Sequence, residues 1–386
     1  ILIGLVGSEM CIRDSYVSGA GLAKVAEIDT NLKWETNEQT NIGLDLGFFD
    51  NSLNITLDYF VRDAKDLLLY RNLRPSTGYT SIYTNAGHIR NSGFEFAINY
   101  TKEVGDWTFG ATLNGSTLKN KAIEVGDDIF HSGGVDDGYY WTNYSITKNG
   151  HPVGSFYGHK VAGIFQNQSE IDALNKQAAE KTNGEIAVYQ TAETKPGDWK
   201  YIDVNGDGYI SDEDKTILGD GYPTLNYGLN LTAGYKGWDF TLYMYGVLGQ
   251  DILSYSYANL TSVYAASGGY QNCLADCMKN AWTPENQSSK YTRLTRTDGN
   301  HNVRISDAFI KNGDFLRISN IQIGYTFPKK WVKPLRMESA RVYVSVENLA
   351  TITGYKYGDP EVGDSNVLRL SLIHISEPTR PISISY

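Results

Sequence analysis

The sequence predicts an all-β chain that forms part of a transmembrane antiparallel β-barrel with long extracellular loops. Paired blocks of alternating apolar and small or polar residues, short turns within the pairs, and abundant aromatic residues lead to this prediction. Period-two alternation is typical of a strand whose two faces meet different surroundings. The 386 residues include 28 Tyr, 13 Phe and 7 Trp. Such aromatics suit the girdles of a barrel at the lipid–water interfaces.

The alternating blocks form four predicted hairpins. Each hairpin has two runs of apolar residues at every second position, joined by a turn. The predicted turns lie at 50–52, 102–106 and 236–237, and the fourth is a longer turn through Pro328 and Pro334. The apolar positions are Ile42, Leu44, Leu46 and Phe48 with Leu53, Ile55, Leu57 and Tyr59; Phe94, Phe96, Ile98 and Tyr100 with Trp107, Phe109, Ala111 and Leu113; Tyr227, Leu229, Leu231 and Ala233 with Phe240, Leu242 and Met244; and Ile321, Ile323, Tyr325 and Phe327 with Val342, Val344 and Val346.

The second face of these strands favours a barrel over a secreted β-sandwich. It carries Gly, Asn, Asp, Thr and Ser, as expected for a crowded and wet lumen, rather than the Lys and Glu of a face in bulk water. Long stretches such as 118–155 and 165–224 separate the hairpins. Short turns on one side and long loops on the other are typical of outer-membrane barrels, whereas a sandwich shows more even spacing.

Charge and motifs exclude several classes of function. The net charge of −10 and the lack of a basic cluster argue against nucleic-acid binding. No apolar run reaches the roughly 18 residues of a transmembrane helix. The chain contains no Gly-x-Ser-x-Gly, His-Glu-x-x-His or phosphate-loop motif, so we predict that it is not an enzyme. A glycosidase acid pair would leave no motif, because the fold sets its separation.

One long connection contains a predicted helix at 169–181, for which Ser169 is a suitable N-cap. The segment 203–214 matches the residue pattern of an EF-hand calcium loop. Gly208 lies at the position of the sharp turn, and Asp214 lies at the last ligand position, where Glu is preferred. No helix is predicted before this loop. We predict a structural Ca²⁺ site, and the alternative is an acidic turn that binds no ion. The candidate ligands are Asp203, Asn205, Asp207, Tyr209, Ser211 and Asp214.

Two further groups of residues are candidates for a function. Cys273 and Cys277 lie four apart in a segment that fits one helical turn; in an oxidising compartment they could form a small disulfide. No His or other Cys lies near enough to suggest a metal site there. The aromatics of a long loop are candidates for stacking on sugar rings, and loop packing is the alternative. These aromatics are Tyr139, Tyr140, Trp141 and Tyr144.

The two ends of the sequence differ from the rest. Residues 5–15 can be encoded by a DNA segment whose reverse complement encodes residues 370–380. The two strands of one segment, resembling a sequencing adapter, would then flank the insert. We therefore interpret 1–15 and 370–386 as adapter-derived and exclude them from the prediction of the fold. The apolar start at 1–6 is too short for a signal peptide and follows no basic region.

Seven phrases recur in one order through 16–369: residues 31–49, 85–96, 154–158 (Gly-Ser-Phe-Tyr-Gly), 197–208, 314–328, 342–349 and 359–362. Together they resemble the SusC/RagA family of TonB-dependent outer-membrane transporters. The resemblance implies the C-terminal part of a barrel of about 22 strands in the outer membrane. The plug, the TonB box and the first strands would then lie before Tyr16, and the last strand after Arg369.

The resemblance also implies partners and a function. The expected partners are a SusD-like surface lipoprotein that covers the barrel, TonB as the source of energy through the N-terminal part, and the outer-membrane lipid. The expected activity is the import of oligosaccharides, or of peptides, without covalent chemistry. The alternative is a secreted, calcium-stabilised β-rich module that binds glycans.

Overall fold

A computed structural model describes residues 26–29, 31–73, 75–77, 79, 81–131, 141, 143–265, 269–287 and 290–361. The segments 1–15 and 370–386, predicted to be adapter-derived, lie outside these residues, and so do Tyr139 and Tyr140. Within the described part of the chain, no helix has both the length and the apolar character to cross a membrane.

The chain is built mainly from strands, with four α-helices among the described residues. The helices are α1 (Gln168–Lys181), α2 (Tyr255–Leu260), α3 (Ala275–Asn280) and α4 (Lys329–Val332). The strands are β1 (Ala26–Ile28), β2 (Thr36–Phe48), β3 (Leu53–Asn72), β4 (Ser81–Val104), β5 (Trp107–Thr117), β6 (Lys119–Glu124), β7 (Ile129–His131), β8 (Ser145–Thr147), β9 (Ser155–Gly158), β10 (Val161–Ile164), β11 (Trp199–Tyr201), β12 (Thr216–Gly219), β13 (Leu225–Tyr235), β14 (Trp238–Leu248), β15 (Asp251–Leu253), β16 (Tyr264–Ala265), β17 (Gly269–Tyr270), β18 (Ile310–Asn312), β19 (Phe315–Thr326) and β20 (Arg341–Thr353).

One large sheet contains all the predicted hairpins. Its strands follow the order β2-β3-β4-β5-β13-β14-β19-β20, and every neighbouring pair on this path is antiparallel. The strand β6 continues the line of β5 along β4, and β1 pairs with β4 in parallel. Among the described residues β2 and β20 do not pair with each other, so the sheet is an open part of a barrel wall. The predicted all-β antiparallel class is confirmed.

The turns define one end of this sheet. The first hairpin closes between Phe48 and Leu53. Three of its four turn residues, Phe49, Asp50 and Asn51, have positive φ angles of 55°, 53° and 63°. The third hairpin turns at Lys236-Gly237, whose φ angles of 46° and 92° match the type I′ turn that suits strand twist.

The predicted turn at 102–106 was too long. The structure needs two residues there, 105 and 106, because Val104 pairs directly with Trp107. Polar Lys102 and Glu103 remain in β4, where they pair with Phe109 and Thr108. Strand pairing therefore outweighs the turn preference of these polar residues.

Apolar side chains of neighbouring strands lie next to one another on one face. Leu231 is paired with Leu242 on one side and with Ala111 on the other. Many of these side chains are open, since Ile42 is 69% exposed and Val344 is 68% exposed. A continuous exposed apolar face of this size is unfavourable in water and matches the lipid-facing wall of a barrel.

An aromatic belt runs along this face at the end with the short turns. The Trp107 and Tyr235 rings stack with centroids 4.3 Å apart, and the Trp238 and Tyr325 centroids are 4.9 Å apart. Register places Tyr235 between Trp107 and Trp238. Aromatic side chains with polar atoms favour the interface between lipid and water. The belt therefore ends the apolar band at the short turns and is typical of a lipid–water interface.

Charged side chains lie at the other end of the apolar band, on the same face of β2, β3 and β4. They follow the aromatic pair Tyr59–Phe94 in the direction of the long connections. Ionic side chains are costly against lipid, so the apolar band ends there. The pairs are Lys65 with Glu38 at 2.6 Å, Arg90 with Asp63 at 2.8 Å and His88 with Asp63 at 2.7 Å.

The long connections fold into packed structure rather than open loops. A four-stranded sheet of order β12-β9-β8-β7 and two-stranded sheets, β10-β11 and β15-β18, lie within them. The predicted helix is confirmed as α1, but Ser169 is not its cap. Asn167 accepts the Glu170 N–H at 3.0 Å from the N-cap position, while Ser169 lies inside the first turn.

Candidate functional site

The polar face of the large sheet is the first part of the candidate site. At several positions of the sheet a glycine is paired with a polar residue on the neighbouring strand. The polar side chain extends over the glycine. A Cβ on Gly228 would lie 2.5 Å from Asn114 Oδ1, and one on Gly234 would lie 2.7 Å from Thr108 Oγ1. Hydroxyl, amide and carboxylate side chains thus lie along the sheet surface over the glycines. The pairs of this kind are Gly43–Asp58, Gly110–Thr232, Gly228–Asn114 and Gly234–Thr108.

One ion pair on this face joins the last three strands of the sheet. Arg341 donates to both carboxylate oxygens of Asp239 across β14, β19 and β20. Asn320 donates to Ser345 at 2.9 Å. Bidentate guanidinium–carboxylate pairs hold a defined geometry. The wall therefore presents hydroxyl and amide groups together with carboxylates such as Asp58 and Glu95, which lie opposite each other on β3 and β4.

A strap formed by residues 354–361 follows β20 and contacts the polar face. The Arg317 guanidinium lies 2.6 Å from Asp359 and 2.5 Å from Glu361, and its side chain is 13% exposed. Tyr245 donates to Glu361 at 2.9 Å. In the sequence, 359–362 stand out only through the family resemblance. The pairing of Asp359 with Arg317 could not be predicted, because it spans 42 positions and follows no periodicity.

The two described candidates for sugar stacking belong to the core of the long connections. Trp141 is 3% exposed and Tyr144 is 9% exposed. The Trp141 indole donates to the Val303 carbonyl at 2.7 Å and meets the Tyr255 ring edge-on at 5.3 Å. A ring in this position has no free face for a sugar. For these two residues the loop-packing alternative therefore applies, while Tyr139 and Tyr140 lie outside the described residues.

A buried polar network connects distant parts of the long connections. Asp198 is 0% exposed and accepts from Arg293 at 2.7 Å and from Asn302 at 2.9 Å. Asn300, also 0% exposed, accepts from Thr194 at 2.7 Å. Buried charges are tolerated where they are paired and hydrogen-bonded. The network holds the segment around β11 against the segment 293–302.

The six predicted calcium ligands lie in one compact loop. Gly208 has a φ of 103°, as the predicted sharp turn requires. Asp203 accepts the Gly206 and Gly208 N–H groups at 2.6 and 2.8 Å. Asp214, which is 0% exposed, accepts the Val204 and Ser211 N–H groups, both at 2.8 Å. These carboxylates therefore bond the loop to itself.

The side chain of Lys181 contacts the same loop. Lys181 Nζ donates to the Gly206 carbonyl at 2.9 Å and lies 3.7 Å from Asp203 Oδ2. Within the described residues, no group of three or more His, Cys, Asp or Glu side chains is arranged to hold a metal ion. The oxygen donors are of the type that Ca²⁺ prefers. As arranged here, however, they do not form a coordination shell.

Both cysteines in the described part of the chain are free thiols. Cys277 lies in α3, is buried, and donates to the Thr261 carbonyl at 3.3 Å. Burial, and then the neighbouring Cys273 thiol, raise its pKa to about 12. The structure therefore contains no disulfide between them, and it holds Cys277 as a small buried hydrophobic residue.

A half-buried lysine next to an aromatic ring was not found from the sequence. Lys311 Nζ lies 3.8 Å from the centroid of the Tyr257 ring and donates to the Ala308 carbonyl at 2.7 Å. Burial lowers its pKa to about 8. Nothing in the spacing around Lys311 indicates this environment, because α2 contributes the ring from far along the chain.

Comparisons with known proteins agree with this architecture. The profile of a family described as "TonB dependent receptor-like, beta-barrel" matches residues 12–349. The chain is 32% identical over 361 residues to TonB-dependent receptor P3 of Formosa agariphila, which covers 92% of this chain and 33% of that protein. It is 29% identical to TonB-dependent receptor SusC of Bacteroides thetaiotaomicron, over 90% of this chain and 31% of that protein. The chain thus spans about a third of the length of these relatives.

A solved structure shows the same fold. The RagAB peptide transporter superposes with a TM-score of 0.63 at 22% identity, over 87% of this chain and 33% of that chain. At this level of identity the likeness concerns the course of the backbone and not the ligand. It matches a large antiparallel sheet with folded connections at one end.

Proposed function

The chain belongs to the TonB-dependent receptor-like β-barrel family, and on that premise we propose that it forms part of the wall of an outer-membrane importer. In this proposal the apolar face meets lipid and the polar face lines the lumen. The folded long connections lie on the extracellular side, because outer-membrane barrels place short turns on the periplasmic side. The whole protein would take its energy from TonB.

The observation that carries the proposal is the difference between the two faces of one continuous sheet. Ile42 and Val344 are open on the apolar face, and the aromatic belt ends that face at the short turns. The other face carries glycines and polar side chains. A soluble β-sandwich would not leave so large an apolar face uncovered. The alternative of a secreted glycan-binding module is therefore less well supported.

We propose an oligosaccharide as the substrate, with a peptide as the other outcome of the test. Sugars are bound through many neutral hydrogen bonds, and the polar face offers hydroxyl and amide groups such as those of Thr232 and Asn114. A SusD-like surface lipoprotein is the proposed partner at the extracellular end. The transport itself involves no covalent chemistry.

The test begins with the full-length gene product. It should sediment with outer membranes and migrate faster on gels before boiling than after, because a folded barrel resists detergent. A product found only in the soluble fraction would contradict the importer. Deletion of the gene should then abolish growth on an oligosaccharide pool while growth on free monosaccharide continues. Growth lost only on a peptide pool would assign peptides instead.

We also propose that the loop 203–214 binds a structural Ca²⁺ when Lys181 moves away. The support is the spacing of its oxygen donors and the conformation of Gly208. Residues Asp203 and Asp207 would then exchange contacts within the protein for the ion. The ion would stabilise the long connection that contains α1 and this loop. It would have no catalytic role.

A further inference from the structure

The connection between β19 and β20 differs from the other turns at the same end of the sheet. It contains a segment, 329–337, in which four cations alternate with three large apolar side chains and a proline. The exposed apolar side chains are Trp331 at 56%, Leu335 at 68% and Met337 at 42%. The cations, all exposed, are Lys329, Lys330, Lys333 and Arg336.

The segment 329–337 lies at the end of the short turns. The pair Thr326–Arg341 ends the ladder of β19 and β20, and Phe327 donates to the Ala340 carbonyl at 2.9 Å. The turn Lys236-Gly237 of the neighbouring hairpin is adjacent, since Thr326 donates to the Gly237 carbonyl at 2.7 Å. Short turns face the periplasm in outer-membrane barrels. The segment therefore lies on the periplasmic side.

The Trp331 ring of the segment continues the aromatic belt on the lipid-facing side. The Tyr325 and Phe327 centroids are 5.2 Å apart, and Phe327 and Trp331 follow at 6.1 Å. Tyr325 itself contacts Trp238 of the belt. Val332 is 3% exposed and fixes α4 against the rest of the chain. The exposed apolar side chains of the segment 329–337 therefore lie next to the aromatic belt of the lipid-facing side.

The charges of the segment are not balanced by the protein. Glu338 is the only acid in residues 327–340. Among the described residues, none of the four cations lies within 4.0 Å of a carboxylate oxygen, unlike Lys236, which pairs with Asp106 at 3.0 Å in the next hairpin. A basic segment with Trp and Leu side chains is typical of peripheral attachment to an anionic membrane surface.

We propose that the segment 329–337 binds the headgroups of anionic phospholipids in the periplasmic leaflet. Trp331, Leu335 and Met337 enter the boundary between headgroups and acyl chains, and the four cations contact the lipid phosphates. This inference rests on the proposed insertion of the barrel in a membrane. In this inference, one turn of the barrel binds anionic phospholipids in preference to neutral ones.

The test uses the full-length protein in nanodiscs made from phosphatidylethanolamine and phosphatidylglycerol. Mass spectrometry of the lipids retained after mild detergent extraction gives the ratio of the two lipids bound to the protein. Wild type should retain phosphatidylglycerol above its bulk fraction. The variant Lys329→Gln/Lys330→Gln/Lys333→Gln/Arg336→Gln should lower that enrichment at least about fivefold, the effect of roughly one juxtamembrane cation.

A matched control removes four exposed lysines from the long connections: Lys160→Gln, Lys176→Gln, Lys195→Gln and Lys279→Gln. This variant carries the same change of charge and should retain the lipid as wild type does. Equal losses in both variants, or a wild type that holds the lipids in their bulk ratio, would overturn the inference. A gene product that never enters the membrane would overturn the proposed function as well, so sedimentation and gel mobility separate the two failures.

Discussion

Arg293 donates to both carboxylate oxygens of Asp198, at 2.7 and 3.2 Å, although the two residues are 95 positions apart. The carboxylate is completely buried, and the guanidinium is partly open. Two remote segments of the long connections therefore depend on one buried ion pair. Loss of one partner leaves an uncompensated buried charge.

We expect Arg293→Ala to destabilise the structure around β10 and β11 by about 3–5 kcal/mol. Hydrogen exchange of these strands in the full-length protein measures the loss. The control Lys176→Ala breaks an exposed contact with Glu180 at 3.8 Å and should cost less than about 0.5 kcal/mol. Because neutralising both partners removes the unpaired charge, Asp198→Asn/Arg293→Met should be less damaging than Arg293→Ala. Equal protection in Arg293→Ala and wild type would refute the role of the pair.

Gly246 is required for the close pairing of β14 and β19. A Cβ there would overlap the Phe315 carbonyl oxygen and lie 2.7 Å from the Tyr227 hydroxyl, which itself reaches that carbonyl at 3.3 Å. Gly246→Ala should therefore destabilise the barrel by about 1–3 kcal/mol. In the control Gly110→Ala, the nearest atom is the end of the Thr232 side chain, which can rotate. The temperature at which gel mobility changes should fall further for Gly246→Ala than for Gly110→Ala; the reverse order would contradict the structure.

His159 makes the long connections sensitive to acid. Its Nε2 lies 3.0 Å from the Ser211 carbonyl, and its buried Nδ1 has no hydrogen-bond partner. Burial lowers the pKa of His159, and the nearby Arg304 and Lys215 cations act in the same direction, against Asp212. The folded state therefore takes up this proton less readily than the unfolded state, whose pKa is about 6.5. The stability that neutral His159 contributes is present above that pH and is lost as the pH falls below it.

We expect protection of β9 and β12 from hydrogen exchange to decline on acidification below about pH 6.5. His159→Gln keeps a donor for the Ser211 carbonyl and removes the titration, so its protection should depend less on pH. Burial raises the pKa values of Asp298 and Asp307, which act in the opposite direction in both proteins. Parallel pH profiles of wild type and His159→Gln would exclude His159 as the sensor.

The two cysteines should differ in reactivity. Cys277 is buried with a pKa raised to about 12, whereas Cys273 is partly exposed. Because the thiolate is the reactive form, a maleimide should label Cys273 and leave Cys277 unmodified until the protein is denatured. Peptide mass spectrometry gives the two extents of labelling. Labelling of both sites at one rate, or a peptide two hydrogens lighter than the dithiol, would contradict the free buried thiol.

Calcium should stabilise the loop 203–214 if the proposed site forms. Added Ca²⁺ should increase the hydrogen-exchange protection of this loop in the full-length protein, and a chelator should reverse the change. Asp207→Asn should weaken the response. Asp212→Asn is the matched control, because Asp212 pairs with Lys215 at 2.8 Å and is not a proposed ligand. Protection that is independent of Ca²⁺ would leave Lys181 as the permanent partner of Asp203.

Local sequence patterns determined the large sheet. Alternating residues such as Ile42 and Leu44 identify a strand with two faces, and Lys236-Gly237 identifies its turn, because both signals act over a few residues. The strands with one apolar and one polar face could therefore be predicted from the sequence. So could the positions of the short turns at one end of the sheet. The end of β4 could not, since pairing with β5 keeps Lys102 in the strand.

The tertiary structure alone decided the environment of the candidate residues. Trp141 was a candidate for sugar stacking, and only the approach of Val303, 162 positions away, reveals that its ring is buried. The same holds for Arg317 with Asp359 and for Asp198 with Arg293. Strand alternation is a local property of the chain, whereas burial and charge pairing depend on segments that only folding brings together.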